Sequence, residues 1–96
     1  MAHNIRAIGA VHRDLKKLPD GVVEEIRSVH FPKIVTDPFG AKLLTGPFKG
    51  LRSYHFSHQG TNYRIVYEIY DDDDILLILL IGKREGFYQI LRRRVG

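Results

Sequence analysis

Apolar and polar residues alternate with two different periods along the chain, and the change of period near residue 51 divides a helical part from a stranded one. Ile8, Val11, Leu15 and Leu18 are spaced three, four and three apart. That is one face of an amphipathic helix, with His12, Arg13, Asp14, Lys16 and Lys17 mostly outside. Pro19 stops it. Pro19 or Asp20 then starts a second helix in which Val22, Ile26 and Val29 repeat at helical spacing, and Glu24 and Glu25 occupy the first turn, where acidic side chains are favoured. The two helices are predicted to form a hairpin. Helical signals fade at Pro32 and end by Asp37-Pro38, because a residue before proline is pushed out of the helical region. Ahead of the first helix, residues 3–8 suit a short edge strand.

From Leu51 the period is two. Tyr54 and Phe56 point one way while Ser53, His55 and Ser57 point the other, and Tyr63, Ile65, Tyr67 and Ile69 likewise oppose Arg64, Val66 and Glu68. With Gln59-Gly60-Thr61-Asn62 as a four-residue loop, Ser57 lies across from Arg64, Phe56 from Ile65 and Tyr54 from Tyr67. Aromatic and aliphatic residues then share one face, and His55, Ser57 and Arg64 the other. Residues 71–74, four aspartates, close a second hairpin, and the unbroken apolar run Ile75 to Ile81 reads as a central strand covered on both sides. Residues 36–50 form a connector broken by Gly40, Gly46, Pro47 and Gly50, with Leu43, Leu44 and Phe48 expected to anchor it. Gly82 ends the last strand, and Arg84 to Arg94 has the composition of a terminal helix with Phe87, Ile90 and Leu91 on its apolar stripe. The predicted class is α+β, a small antiparallel sheet packed against an N-terminal helical hairpin.

Composition narrows this further. The 96 residues are 44% hydrophobic, enough for one modest core, so a single domain over residues 1–96 is expected. The absence of cysteine excludes disulfides, a thiolate metal site and a cysteine nucleophile, and suits a reducing cytosol. The longest apolar run is far short of the roughly 20 residues a membrane helix needs, and the N-terminus has no signal-peptide core, so a cytoplasmic protein with no membrane association is expected. Charge is uneven: residues 1–81 hold ten Lys/Arg and ten Asp/Glu, while residues 82–96 hold Lys83, Arg84, Arg92, Arg93 and Arg94 against Glu85, so the whole excess of +4 lies in the tail. Such a cluster attracts a polyanion or an acidic partner. Arg64 stands out within an apolar strand, since an unpaired charge there is costly to desolvate. It either pairs with Glu68 or an aspartate, or it serves a ligand.

Four segments carry a resemblance. Leu15-Lys16-Lys17-Leu18-Pro19, Leu44-Thr45-Gly46-Pro47 with Leu51-Arg52, Tyr63-Arg64-Ile65-Val66-Tyr67, and Gly82-Lys83-Arg84-Glu85 with Tyr88 stand in the order and spacing of the RelE/ParE toxin superfamily. Nearly the whole chain resembles it, most closely the RelE ribonuclease branch. The resemblance implies a RelE-like, microbial ribonuclease-like fold and the toxin half of a type II toxin–antitoxin pair. It further implies an endoribonuclease that cuts mRNA in the ribosomal A site with neither metal nor other cofactor. The partners it implies are the ribosome and its mRNA, and a cognate RelB-like antitoxin in a heterotetramer or similar complex.

Carried over residue by residue, Arg64 matches the family's phosphate-binding arginine, Arg84 its second arginine, and Tyr88 the active tyrosine, which would stack on a base or donate a proton. His55 and Ser57 stand where the best-known RelE ribonucleases place two lysines. An imidazole titrates near neutrality, so His55 is a candidate base or acid, and Ser57, His58, Arg52 and Lys83 are candidate RNA contacts. Two other readings go with the resemblance: a ParE-like toxin that inhibits gyrase without catalysis, and a catalytically weak relative that acts mainly by binding its antitoxin.

Overall fold

The computed structural model describes residues 3–95. Strand β1 (Asn4–Ala7) leads into α1 (Gly9–Lys16), and then α2 (Asp20–Glu25), a π-helical turn (Ile26–His30) and α3 (Phe31–Thr36) follow without a break. After β2 (Lys42–Leu43) and a 3-10 turn at Gly46–Phe48 come β3 (Leu51–His58), β4 (Thr61–Tyr70), β5 (Ile75–Lys83) and α4 (Phe87–Val95). The strands form one sheet in the order β1-β5-β4-β3-β2. The α+β class holds, but the sheet is mixed rather than antiparallel throughout, because β1 runs parallel to β5 through the crossover made by the helices between them. No helix among the described residues is long and apolar enough to cross a membrane.

The second helix continues through Pro32 and ends at Thr36, at the expected Asp37-Pro38 stop. In the π turn the Phe31 N–H reaches the Ile26 carbonyl, and this wider turn accommodates Pro32, which has no N–H and whose ring crowds the preceding turn of a regular helix. It also resets the inward face to Val22, Ile26, His30 and Ile34, all buried, and rotates Val29 to the surface, contrary to the spacing-based expectation.

Both sheet faces are covered. Tyr63, Ile65, Tyr67, Leu76 and Ile78 pack under Val11, Val22, Ile26 and Ile34. Val66, Leu79, Leu80 and Leu51 pack under Phe87 and Leu91 of α4 and under Leu44 and Phe48 of the connector. Leu43 does not anchor: it lies on the short edge strand β2 and is 50% exposed.

The β3–β4 register differs from the expected one by two residues. Gln59 and Gly60 alone turn the chain, at φ 48° and 82°, the left-handed pair that matches the twist of a two-residue hairpin. His58 therefore pairs with Thr61, Ser57 with Asn62, Phe56 with Tyr63, and His55 with Arg64. A shift of two leaves every side chain on its predicted face, so the division into core and open faces survives.

Strand β5 carries a bulge. Val66 pairs with Leu80 and Tyr67 with Ile78, which leaves Leu79 as the extra residue. The Leu79 carbonyl accepts a bond from Arg94 Nη1 at 3.1 Å, and Arg94 Nη2 donates to Asp14 Oδ1 at 2.6 Å. Asp14 Oδ2 accepts from the Ile81 N–H at 3.1 Å and from Arg94 Nη1. One carboxylate thus fastens α1, the bulge and α4 together, and Arg94 is withdrawn from the cationic tail.

Candidate functional site

The face of β3 and β4 opposite the helices is closed by α4 and the connector at one end and left open at the other. On the open part, His55, Ser57, Asn62, Arg64 and Arg84 line a cleft of about 380 Å³ with Phe56 and Tyr63 at its border. Arg64 is half buried. Among the described residues no carboxylate pairs with it, so Glu68 is not its counter-charge; Glu68 accepts a bond from Tyr70 instead. Its guanidinium lies 5.3 Å from the Tyr88 ring centroid and 5.9 Å from that of Phe87, and Nη1 donates to the Tyr88 hydroxyl at 2.9 Å. Cation–π contact and a neutral acceptor orient the arginine without neutralising it. Its charge remains available to an anion.

Tyr88 is the second residue of α4 and is 40% exposed. With its oxygen accepting from Arg64, its own O–H is free to donate. Its ring stacks near Phe48, centroids 5.8 Å apart. Arg84 lies outside the helix predicted for it: Gly86, at φ 66°, makes the turn from β5, so α4 begins only at Phe87. The turn keeps Arg84 exposed beside the cleft that Arg64 lines from below.

His55 is the direct cross-strand neighbour of Arg64, closer than the four-residue loop implied. Its Nε2 is 2.8 Å from the hydroxyl of Ser53, two residues back on the same face and only 2% exposed. Partial desolvation first, and then the nearby charges of Arg64 and Lys42, hold the imidazole pKa below its ordinary value. His55 is thus neutral at neutral pH. When its Nε2–H donates to Ser53, Nδ1 is left as the basic nitrogen. Ser53 was not a sequence candidate; its alternation with His55 on the polar face of β3 was the available signal.

Three candidates fall outside this cleft. His58 faces the helices, where Nδ1 meets Glu25 Oε1 at 2.8 Å, while the other oxygen of Glu25 meets buried His30 at 2.6 Å. Hydrogen bonds from His30 and then His58 lower the Glu25 pKa, so His58 is part of a structural cluster. Arg52 pairs with Tyr67 and shares its face, and its Nη1 clamps the connector through the carbonyls of Phe39 and Ala41 at 2.8 and 2.9 Å. Lys83 pairs with Tyr63 and so lies on the face opposite Arg64, although with Arg84, Asn62 and Glu85 it lines a shallow groove at the sheet's end. Both Arg52 and His58 are committed within the fold and not directed to the cleft.

The described residues contain no group of three or more His, Asp or Glu arranged to hold a metal ion. What the arrangement offers is a cationic cleft large enough for a phosphate group and more, with a neutral imidazole in its wall and a phenol bonded to one of its arginines.

A family model described as ParE-like toxin of type II bacterial toxin–antitoxin systems matches residues 5–92. Among solved structures, the chain is similar to the RelBE2 toxin–antitoxin complex from Mycobacterium tuberculosis, with 27% identity, 88% of this chain and 100% of that chain covered, and a TM-score of 0.74. It is similar also to a double arginine-to-alanine mutant of E. coli RelE in the free state, with 20% identity, full coverage of both chains and a TM-score of 0.77. The intact E. coli RelBE toxin–antitoxin complex matches at 21% identity over 88% of this chain and 99% of that one, with a TM-score of 0.72. No curated protein matches the chain in sequence.

Proposed function

The chain belongs to the ParE-like toxin family of type II bacterial toxin–antitoxin systems, within the RelE/ParE superfamily and of the RelE type, and from that premise we propose that it is an mRNA endoribonuclease acting on the ribosome. One observation carries the reading. Arg64 is half buried, oriented by Tyr88 and Phe87, free of any carboxylate among the described residues, and opposite a neutral histidine. A gyrase-binding surface has no need of that combination.

The chemistry follows from the residues. His55 Nδ1 takes the proton of a ribose 2′-hydroxyl, whose oxygen attacks the adjacent phosphorus. Arg64 and Arg84 hold the non-bridging oxygens and stabilise the charge that grows on them. The bond to the 5′ oxygen breaks as the Tyr88 hydroxyl supplies its proton, leaving a 2′,3′-cyclic phosphate and a free 5′-hydroxyl. The tautomer this requires has Nε2–H donating to the Ser53 hydroxyl, which can accept it, and Ser57 lines the cleft as a neutral contact.

We read the whole chain as one toxin domain that works in the cytoplasm, where its substrate is. The RelBE complexes among the similar structures support a RelB-like antitoxin as its silencing partner. The test is to incubate the purified protein with programmed ribosomes and map the cuts. Cleavage within the A-site codon that is lost in Arg64→Ala and Arg84→Ala supports the reading, and cleavage that survives both substitutions refutes the site. The family model is described as ParE-like, and the second reading that goes with it is a gyrase inhibitor of the ParE kind. No cleavage, together with growth arrest and inhibited supercoiling, would establish that reading in place of the first.

A further inference from the structure

The phosphate cleft has a neighbour. On the other side of Tyr88 lies a second cleft of about 390 Å³, lined by Lys42, Leu43, Thr45, Phe48, Tyr88 and Arg92. The two clefts share three properties. Each contains two cations, no carboxylate lines either, and Tyr88 connects them, bonded to Arg64 of the first and lining the second. Three other surface grooves among the described residues each include an acidic residue: Asp37 beside α3, Asp14 and Glu85 along β5, and Glu85 at the β3–β4 turn. Lys42 and Arg92 are exposed and pair with no acid among the described residues. Lys42 is also near enough to His55 for its charge to be felt there. Leu43, exposed at the edge of the sheet, and Phe48 give the cleft an apolar floor.

We infer that this second cleft binds the neighbouring nucleotide of a single-stranded RNA, with Lys42 and Arg92 on its backbone phosphate and Leu43 and Phe48 against its sugar and base. The inference rests on the ribonuclease reading of the first cleft and extends it. A chain that presents one phosphate to Arg64 and Arg84 has two ways on: the groove at the sheet's end, which carries Glu85, and the surface past Tyr88, which carries no carboxylate and so suits a polyanion better. Cations on the backbone and an apolar platform for a base are the combination that holds single strands without reading their sequence. Leu43 thereby acquires a reason to be exposed that core packing does not supply.

The experiment uses 2′-O-methyl RNA, which lacks the attacking hydroxyl and cannot be cut. A tetranucleotide, a mononucleotide phosphate and a poly-glutamate peptide, each carrying fluorescein, are titrated by anisotropy over a range of salt against wild type, the double variant K42Q/R92Q and the reference variant Arg64→Gln. For the double variant, tetranucleotide affinity is expected to fall about tenfold and the salt slope by about 0.7, the value for one phosphate contact on a single strand. Mononucleotide binding is expected to be unchanged. Equal losses on both ligands would place Lys42 and Arg92 at the first phosphate and overturn the inference. No loss on the tetranucleotide, with a clear loss in Arg64→Gln, overturns the inference and leaves the ribonuclease reading standing. No loss in either variant removes the RNA reading and the second cleft with it. A loss toward a poly-glutamate peptide but not toward RNA makes the cleft a docking site for an acidic protein, and again overturns the inference.

Discussion

Replacing Arg94 by alanine should unfold this protein more readily than any substitution in the candidate site. Asp14 is 8% exposed and the Arg94 side chain 18%, so the pair is largely withdrawn from water. Without Arg94, the Asp14 carboxylate keeps the Ile81 N–H as its donor and loses both guanidinium bonds, while the bulged Leu79 carbonyl loses its side-chain donor. Breaking a buried pair by removing one partner costs about 3–5 kcal/mol. Water can reach the partly exposed arginine position, which places this case near the lower end, at about 3 kcal/mol. That is a large part of the roughly 5–15 kcal/mol by which small domains are stable. Removing the carboxylate as well takes away the uncompensated charge, so Asp14→Ala/Arg94→Ala should be destabilised by about 2 kcal/mol less than the sum of the single changes. Urea unfolding followed by circular dichroism measures all three variants at equal m-value. Single effects that add to within about 0.5 kcal/mol would show that the two residues do not act as a unit, and would refute the reasoning.

Other outcomes follow from the site and the core. Substituting Arg64 or Arg84 by alanine should lower ribosome-dependent cleavage by about 100-fold or more with little change in stability, as loss of charge stabilisation does; single-turnover rates check this. His55 titrates below its ordinary value near 6.5, so cleavage should be flat above that pH and fall on acidification as the base is protonated. The sign for stability is the same: because the folded form disfavours the proton, the contribution of His55 is present above about pH 6.5 and is lost as pH falls through the lowered pKa. Arg64→Gln removes one of the causes and should move the His55 NMR titration upward; an unmoved midpoint would separate the two residues. Tyr67, fully buried and donating to the Pro38 carbonyl, is pushed up to about 12 mainly by burial. Tyr54 and Tyr70 are also raised, so an alkaline absorbance titration should show late ionisation from which Tyr67→Phe removes the component near 12, with a stability loss of about 1 kcal/mol for the orphaned carbonyl. Gly60→Ala places a side chain at φ 82° and should cost about 1 kcal/mol in the same unfolding assay, since alanine rarely adopts that conformation.

Much of the architecture was legible in the chain, because it rests on periodicity between near neighbours. The spacing of Val11, Val22 and Ile26 marked the inward faces of the helices, the alternation from Tyr54 to Ile69 separated the core side from the polar side, and the unbroken run to Ile81 marked a strand buried on both faces. Those same alternations put His55 and Arg64 on one face before any register was known. Family motifs added Arg84 and Tyr88, and the structure brings both to Arg64.

Only the tertiary structure decided the rest. Whether four residues or two turned the β3–β4 hairpin depended on Gln59 accepting a left-handed backbone, and this made His55 rather than Ser57 the neighbour of Arg64. The π turn exchanged Val29 for His30 in the core, where His30 meets Tyr54 and Glu25. Arg52, His58 and Arg94, all free cations or bases in a one-dimensional reading, are committed to the connector, to Glu25 and to Asp14. The difference has one physical source. Side-chain direction along a helix or strand follows from local geometry, whereas a hydrogen bond between residues 14 and 94 requires the chain to have closed around it. The sequence alone put His55, Ser57 and Arg64 on one face, and the closed fold decided which other residues join them and which charges remain free to act there.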